Sequence, residues 1–187
     1  SLVGIDSAVA AGHRARRAGT TRIAATVIRG DANVAIARGQ LQHAGPFIRA
    51  ALAYEDSSKF NHDPIGNTAA DVVAMSALRG NDAAGIRTLD SLAGKVDRNA
   101  PRLDRPNLRL ASAYAQLGQV AKAKAQLDEF DRGATRDEQF LLWGDWHAAR
   151  GDIALAEGRL DDAIAAFRSS TYSDSGSVEP LWQGRTD

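Results

Sequence analysis

A glycine-led pattern recurs four times along this chain and constrains its fold more than any other feature. It reads glycine, an apolar residue two positions on, a small residue five on and a large apolar residue nine on. The clear copies are Gly39-Leu41-Ala44-Ile48, Gly118-Val120-Ala123-Leu127 and Gly158-Leu160-Ala163-Phe167, with a weaker one at Gly80, Gly85, Leu89 and Leu92. Successive glycines lie 41, 38 and 40 residues apart. The small and the large residue are one helical turn apart on a single face. The first lets a neighbouring helix approach closely, and the second fills the seam. Glycine takes a left-handed backbone at low steric cost, so each copy marks the end of one helix and the turn into the next. Self-similarity at such a period is the signature of stacked helical units that share a core.

Apolar residues at three- and four-residue spacing predict the helices on either side of each glycine. The first helices of the pairs are expected at 23–38, 68–79, 107–117 and 137–150, the last continuing to about residue 157. The second helices are expected at 41–54, 82–96, 120–130 and 160–170. Polar, turn-rich connections fall at 55–66, 97–106, 131–136 and 169–180, two of them carrying Asn61-His62-Asp63-Pro64 and Asn99-Ala100-Pro101. A residue before proline is pushed away from helical backbone. Pro46 lies within the second helix of the first pair and has to sit in or near its first turn, or kink it. Nothing alternates with period two, so no strand is expected.

Composition sharpens this picture. Hydrophobic residues make up 44% of the 187 positions but aromatics only 6%, and alanine supplies much of the rest. Alanine favours helix and occupies little volume, which suits helices packed closely through small residues. Net charge is zero, with 23 basic and 23 acidic residues, which argues against a dedicated nucleic-acid binder. The charge is uneven: residues 1–50 hold seven arginines against Asp6 and Asp31, whereas residues 151–187 hold three basic and seven acidic residues. The absence of cysteine excludes disulfides, thiol catalysis and cysteine-based zinc sites. It leaves the compartment undecided, with a lean to cytoplasm over periplasm. No apolar run reaches the ~18–20 residues of a membrane helix, so direct membrane insertion is not expected. The chain begins at Ser1 and stops at Asp187 within what reads as a new helix, and it is expected to be an excerpt of a longer polypeptide.

Residues Gly39–Leu52, with glycine, leucine, alanine, isoleucine and a closing Ala51-Leu52, resemble the second helix of the tetratricopeptide repeat family. Tyr114 and Gly151 match the family's preferences in the first helix. The resemblance covers residues 22–171. It implies an all-α, right-handed solenoid of antiparallel helix pairs: a single array over 1–187, with a partial flanking helix at 1–21, four pairs at 22–171 and the start of a truncated helix at 178–187. The family repeat is about 34 residues, so these copies, near 40 residues, carry longer first helices or linkers. Gly85 stands where the family usually has alanine. Long, degenerate repeats of this kind resemble bacterial regulatory arrays that follow a kinase or transcription-activator domain.

The resemblance also implies a function. First helices of the family line a concave surface that binds partner peptides or helices. One branch grips a partner's terminal carboxylates with a basic residue and an asparagine one turn apart, an asparagine on the next first helix, and two basic residues on the third. The corresponding residues here are Arg29 and Asn33, then Asp71, then Arg105 and Arg109. Arginine holds carboxylates bidentately and asparagine donates from its amide. Asp71 departs from the pattern, because its charge repels a carboxylate. Two readings stay open for these positions, a basic groove or ordinary solvated helix faces. Trp143, Trp146 and His147 share one helix and stand either as an aromatic patch for a partner or as packing between helices.

No catalytic constellation is present. His13, His43, His62 and His147 are scattered without ligand spacing, and His62-Asp63 reads as part of a loop. Asp161-Asp162 sit at a helix start, where acids favour the dipole. Phosphate-loop and nucleophile-elbow motifs are missing. Arg14, Arg16 and Arg17 read as one basic helix surface. The expectation is a non-enzymatic interaction module without metal or cofactor, binding a protein or peptide in its concave groove. The alternative is a regulatory or sensory segment of a larger signalling protein. End-to-end self-association is a further expectation, since open solenoid ends expose apolar surface.

Overall fold

A computed structural model describes residues 21–58, 64–79 and 82–176. Its elements are all helical: α1 Thr21–Ala37, α2 Leu41–Ser58, α3 Pro64–Arg79, α4 Asp82–Ala93, a 3-10 turn Arg102–Asp104, α5 Asn107–Gln116, α6 Val120–Asp131, α7 Arg136–Leu141, α8 Trp143–Ala156 and α9 Leu160–Gly176. The chain divides into two compact units, Ser1–Gly85 and Ile86–Asp187, the division falling one turn into α4. The turn expected at Gly80, the loop histidine His62 and the flanking segments at 1–20 and 178–187 lie outside the described residues, as do His13, the Arg14–Arg17 cluster and Trp182.

The repeat glycines do what their spacing requires. Gly39, Gly118 and Gly158 have φ of 71°, 70° and 77°. Each closes the same pair of backbone bonds: Gly118 N–H donates to Ala115 O at 2.9 Å, and Gln119 N–H to Tyr114 O at 2.8 Å. The same two bonds recur at Gly39-Gln40 and at Gly158-Arg159. This is the Schellman termination, which satisfies carbonyls the helix end would leave orphaned. The following residue then accepts the first bond of the next helix, as Gln119 O does from Ala123 N–H.

In the first unit, α1 packs on α2, and α3 contacts both. Ile28, Ala32 and Ala35 on α1 and Ala44, Ile48 and Ala51 on α2 form the buried seam, in the four-then-three spacing of one helix face. Pro46 stands in the second turn of α2 without ending it. Pro64 opens α3, a position where its missing N–H costs no helical bond.

The second unit is built around α5. Seven of its ten residues are buried, including Leu108, Leu110 and Tyr114, because α6 and α8 pack on it from two sides. Helix α8 contacts both α5 and α6, and α9 folds back along α8. Where the periodicity predicts one helix over 137–157, the structure has two. Leu142, at φ −106° and ψ 23°, breaks the helical path between α7 and α8. Thr135 and Glu138 fix the start of α7 by a reciprocal capping box. Helices α2 and α9 run past their expected ends, to Ser58 and Gly176, whereas α4 stops at Ala93, short of the expected 96.

Candidate functional site

The exposed face shared by α5 and α8 is stitched by polar pairs at one constant sequence offset. Arg109 Nε faces Asp145 Oδ2 at 3.5 Å, and Gln116 Nε2 donates to Asp152 Oδ2 at 3.1 Å. Both pairs are separated by 36 residues, against the 40 separating Gly118 from Gly158. Measured from the glycines that follow them, α5 and α8 are therefore staggered by four residues, one helical turn. Burial raises the pKa of Asp152, and hydrogen bonds from Gln116 and Ser112 oppose that rise. Arg102 bonds Gly133 O and pairs with Glu138 at 3.3 Å, which ties α7 to the 3-10 turn. Glu138 is held below the usual carboxylate range despite some desolvation, first by the Thr135 backbone N–H, then by the Thr135 side chain and Arg102.

The residues expected to form the groove fall in both units. Arg29 forms an ion pair with Asp71, both largely shielded from solvent, and lies 3.5 Å from Thr68 Oγ1. The two residues singled out for opposite effects on an anion are thus each other's partners, and they link α1 to α3. Asn33, one turn along α1, is exposed. In the second unit, Arg105 Nε donates to Ala100 O at 2.8 Å, and Arg109 on α5 is nearly half exposed beside Asp145.

A buried-to-surface network anchors α4. Tyr114 Oη donates to Asp90 Oδ1 at 2.9 Å, and Lys122 Nζ contacts both Asp90 oxygens at 2.7 and 2.8 Å. The Lys122 ammonium, followed by the Tyr114 hydroxyl, keeps Asp90 below its ordinary range despite some desolvation. Burial and then the Asp90 carboxylate push the Tyr114 phenol upward.

Sequence reasoning left Trp143, Trp146 and His147 between two readings, and did not connect them with a cleft. Trp143 Nε1 donates to Ser169 O of α9 at 3.0 Å, and Trp146 Nε1 to Asp131 Oδ1 of α6 at 2.9 Å. Both indoles thus join α8 to its neighbours, and His147 lies between them at ring-centroid distances of 4.3 and 4.9 Å. His147 lines a cleft of about 600 Å³ between α6, α8 and α9. Only the three-way packing of α8 creates this cleft, so no linear spacing could have announced it.

Among the described residues, no group of three or more histidine, aspartate or glutamate side chains could hold a metal ion. No helix among them is long and apolar enough to cross a membrane. The chain matches no protein-family model, no curated protein and no solved structure.

Proposed function

We propose that this chain is a non-enzymatic protein-interaction module, an array of tetratricopeptide-like helix pairs that binds a partner peptide or helix along the face of its first helices. The carrying observation is the seating of α8 against both α5 and α6, with the staggered polar pairs between α5 and α8. A first helix that packs on both members of the preceding pair places successive first helices side by side, which is how stacked pairs build one continuous binding face. The three identical glycine terminations support the same reading.

On this reading Arg105 and Arg109 anchor an acidic or carboxylate-bearing partner in the second unit. Arg105 spends its Nε on Ala100 O, and Arg109 lies nearly half exposed beside Asp145. Asn33 and Arg29 form the corresponding patch in the first unit, with the Arg29 charge opposed by Asp71.

The test is affinity capture with the whole chain, followed by a binding isotherm for the captured partner in purified form. Arg105→Glu/Arg109→Glu is expected to weaken that isotherm at least ~10-fold, a loss of about 1.4 kcal/mol or more. An unchanged isotherm removes these arginines from the interface. Failure to capture any protein that binds in purified form sinks the module reading itself.

A further inference from the structure

We propose that the cleft between α6, α8 and α9 is a binding site for a small organic monocarboxylate with an apolar body. This goes beyond the partner-binding reading and does not rest on it. The cleft, about 600 Å³ in volume, is of the size that takes small ligands. Its apolar lining comes from Leu127, Ile153 and Ala154, and from Ala165 and Ala166, whose short side chains leave room for an occupant.

The charge around the cleft is partly spent within the protein. Lys124 and Arg159 both pair with Glu157, and Arg159 also reaches Asp162. Asp131 accepts the indole N–H of Trp146. Arg150 is different, for it is exposed and makes no ion pair among the described residues. Its guanidinium lies over the Trp146 ring, 4.9 Å from the centroid. The ring is itself pinned to Asp131, so the guanidinium rests on a fixed platform while its N–H fork stays available. A planar fork matches a carboxylate through two parallel hydrogen bonds.

His147 lines the cleft beside Arg150. Its Nε2 is shut off from solvent and has no hydrogen-bond partner. Burial, and then the nearby Arg150 cation, hold the imidazole below its ordinary pKa. A neutral ring there adds no charge of its own to the cleft, so the recognition of an anion falls to Arg150. The remaining acid of the lining, Asp128, forms no ion pair among the described residues and opposes the entry of more than one negative charge. That favours a single carboxylate over a phosphate ester.

Three probes with one body separate the terms: naphthoate, naphthamide and naphthylmethylammonium, each titrated into the whole chain. Binding is followed by the alanine methyl and His147 imidazole resonances. Naphthoate is expected to bind with Kd in the range of ~0.1–1 mM, and the neutral and cationic probes about 10-fold more weakly. Arg150→Gln is expected to bring naphthoate down to the level of the amide. Ala165→Leu, which fills the cleft from an exposed position, is expected to weaken all three. The His147 imidazole should titrate at higher pH in the naphthoate complex. Equal affinity for the three probes, tighter binding of the ammonium, an unchanged Kd in Arg150→Gln, or no naphthoate binding up to ~10 mM each overturns the proposal.

Discussion

Asp152 sits on the α5–α8 seam with its charged form disfavoured by burial, and that sets an unusual sign for its pH dependence. A carboxyl whose folded pKa lies above its ordinary value near 3.8 contributes most below that value. Its contribution falls as pH rises through the raised folded value. Asp152→Asn keeps an oxygen to accept from Gln116 and removes the buried charge. It is therefore expected to stabilise the protein at pH 7, by up to ~1 kcal/mol, and to make no difference near pH 3. Urea midpoints at the two pH values check this, and a loss of stability at pH 7 would show that the Gln116 bond needs the carboxylate. Residue roles of this kind were only partly legible. Arg29 and Asp71 were both singled out from their places on the first helices. Their pairing spans 42 residues and follows from how α1 meets α3, which no local pattern encodes.

At the scale of elements, the contact between α8 and α9 turns on the absence of one side chain. A Cβ at Gly151 would lie 2.6 Å from the Phe167 ring. Gly151→Ala gains up to ~1 kcal/mol of helix propensity. It must also displace the ring, an overpacking cost of about 1–3 kcal/mol. The net expectation is a loss of ~1 kcal/mol in chemical unfolding, with the Phe167 aromatic resonances shifted. A stabilised variant would mean that the ring moves freely. Both residues carried a signal in the sequence, Phe167 as the large residue of the repeat and Gly151 as a family match. Helix identities and the glycine turns were legible for the same reason, since capping and periodicity act within a few residues. The break at Leu142 was not. Thr135 and Glu138 fix α7 locally, whereas Trp143 and Trp146 fix α8 through Ser169 and Asp131, and nothing in the intervening residues marks the junction.

For the molecule as a whole, the division into two compact units makes cooperativity a measurable question. Leu110 is fully buried in α5, the most enclosed helix of the second unit. Leu110→Ala is expected to cost about 2–5 kcal/mol. Hydrogen exchange should show lost protection in α5, α6 and α8 while the α1 and α2 amides keep theirs. Parallel losses in all five helices would show that the units unfold as one body. Net neutrality conceals the uneven charge of the chain, and salt titration of the same exchange profile would reveal whether opposite charges matter to stability.

The one-turn stagger between α5 and α8 has a mechanical meaning. A single fastening between two rods leaves a pivot, whereas two fastenings seven residues apart make a lap joint that resists both rotation and sliding. Each is weak alone, because exposed pairs contribute little, but Arg109–Asp145 and Gln116–Asp152 act at different points along the same overlap. Helix α8 is also the floor of the cleft that holds His147 and Arg150. The floor of that cleft and the face that carries Arg109 are thus joined through one helix lapped onto α5.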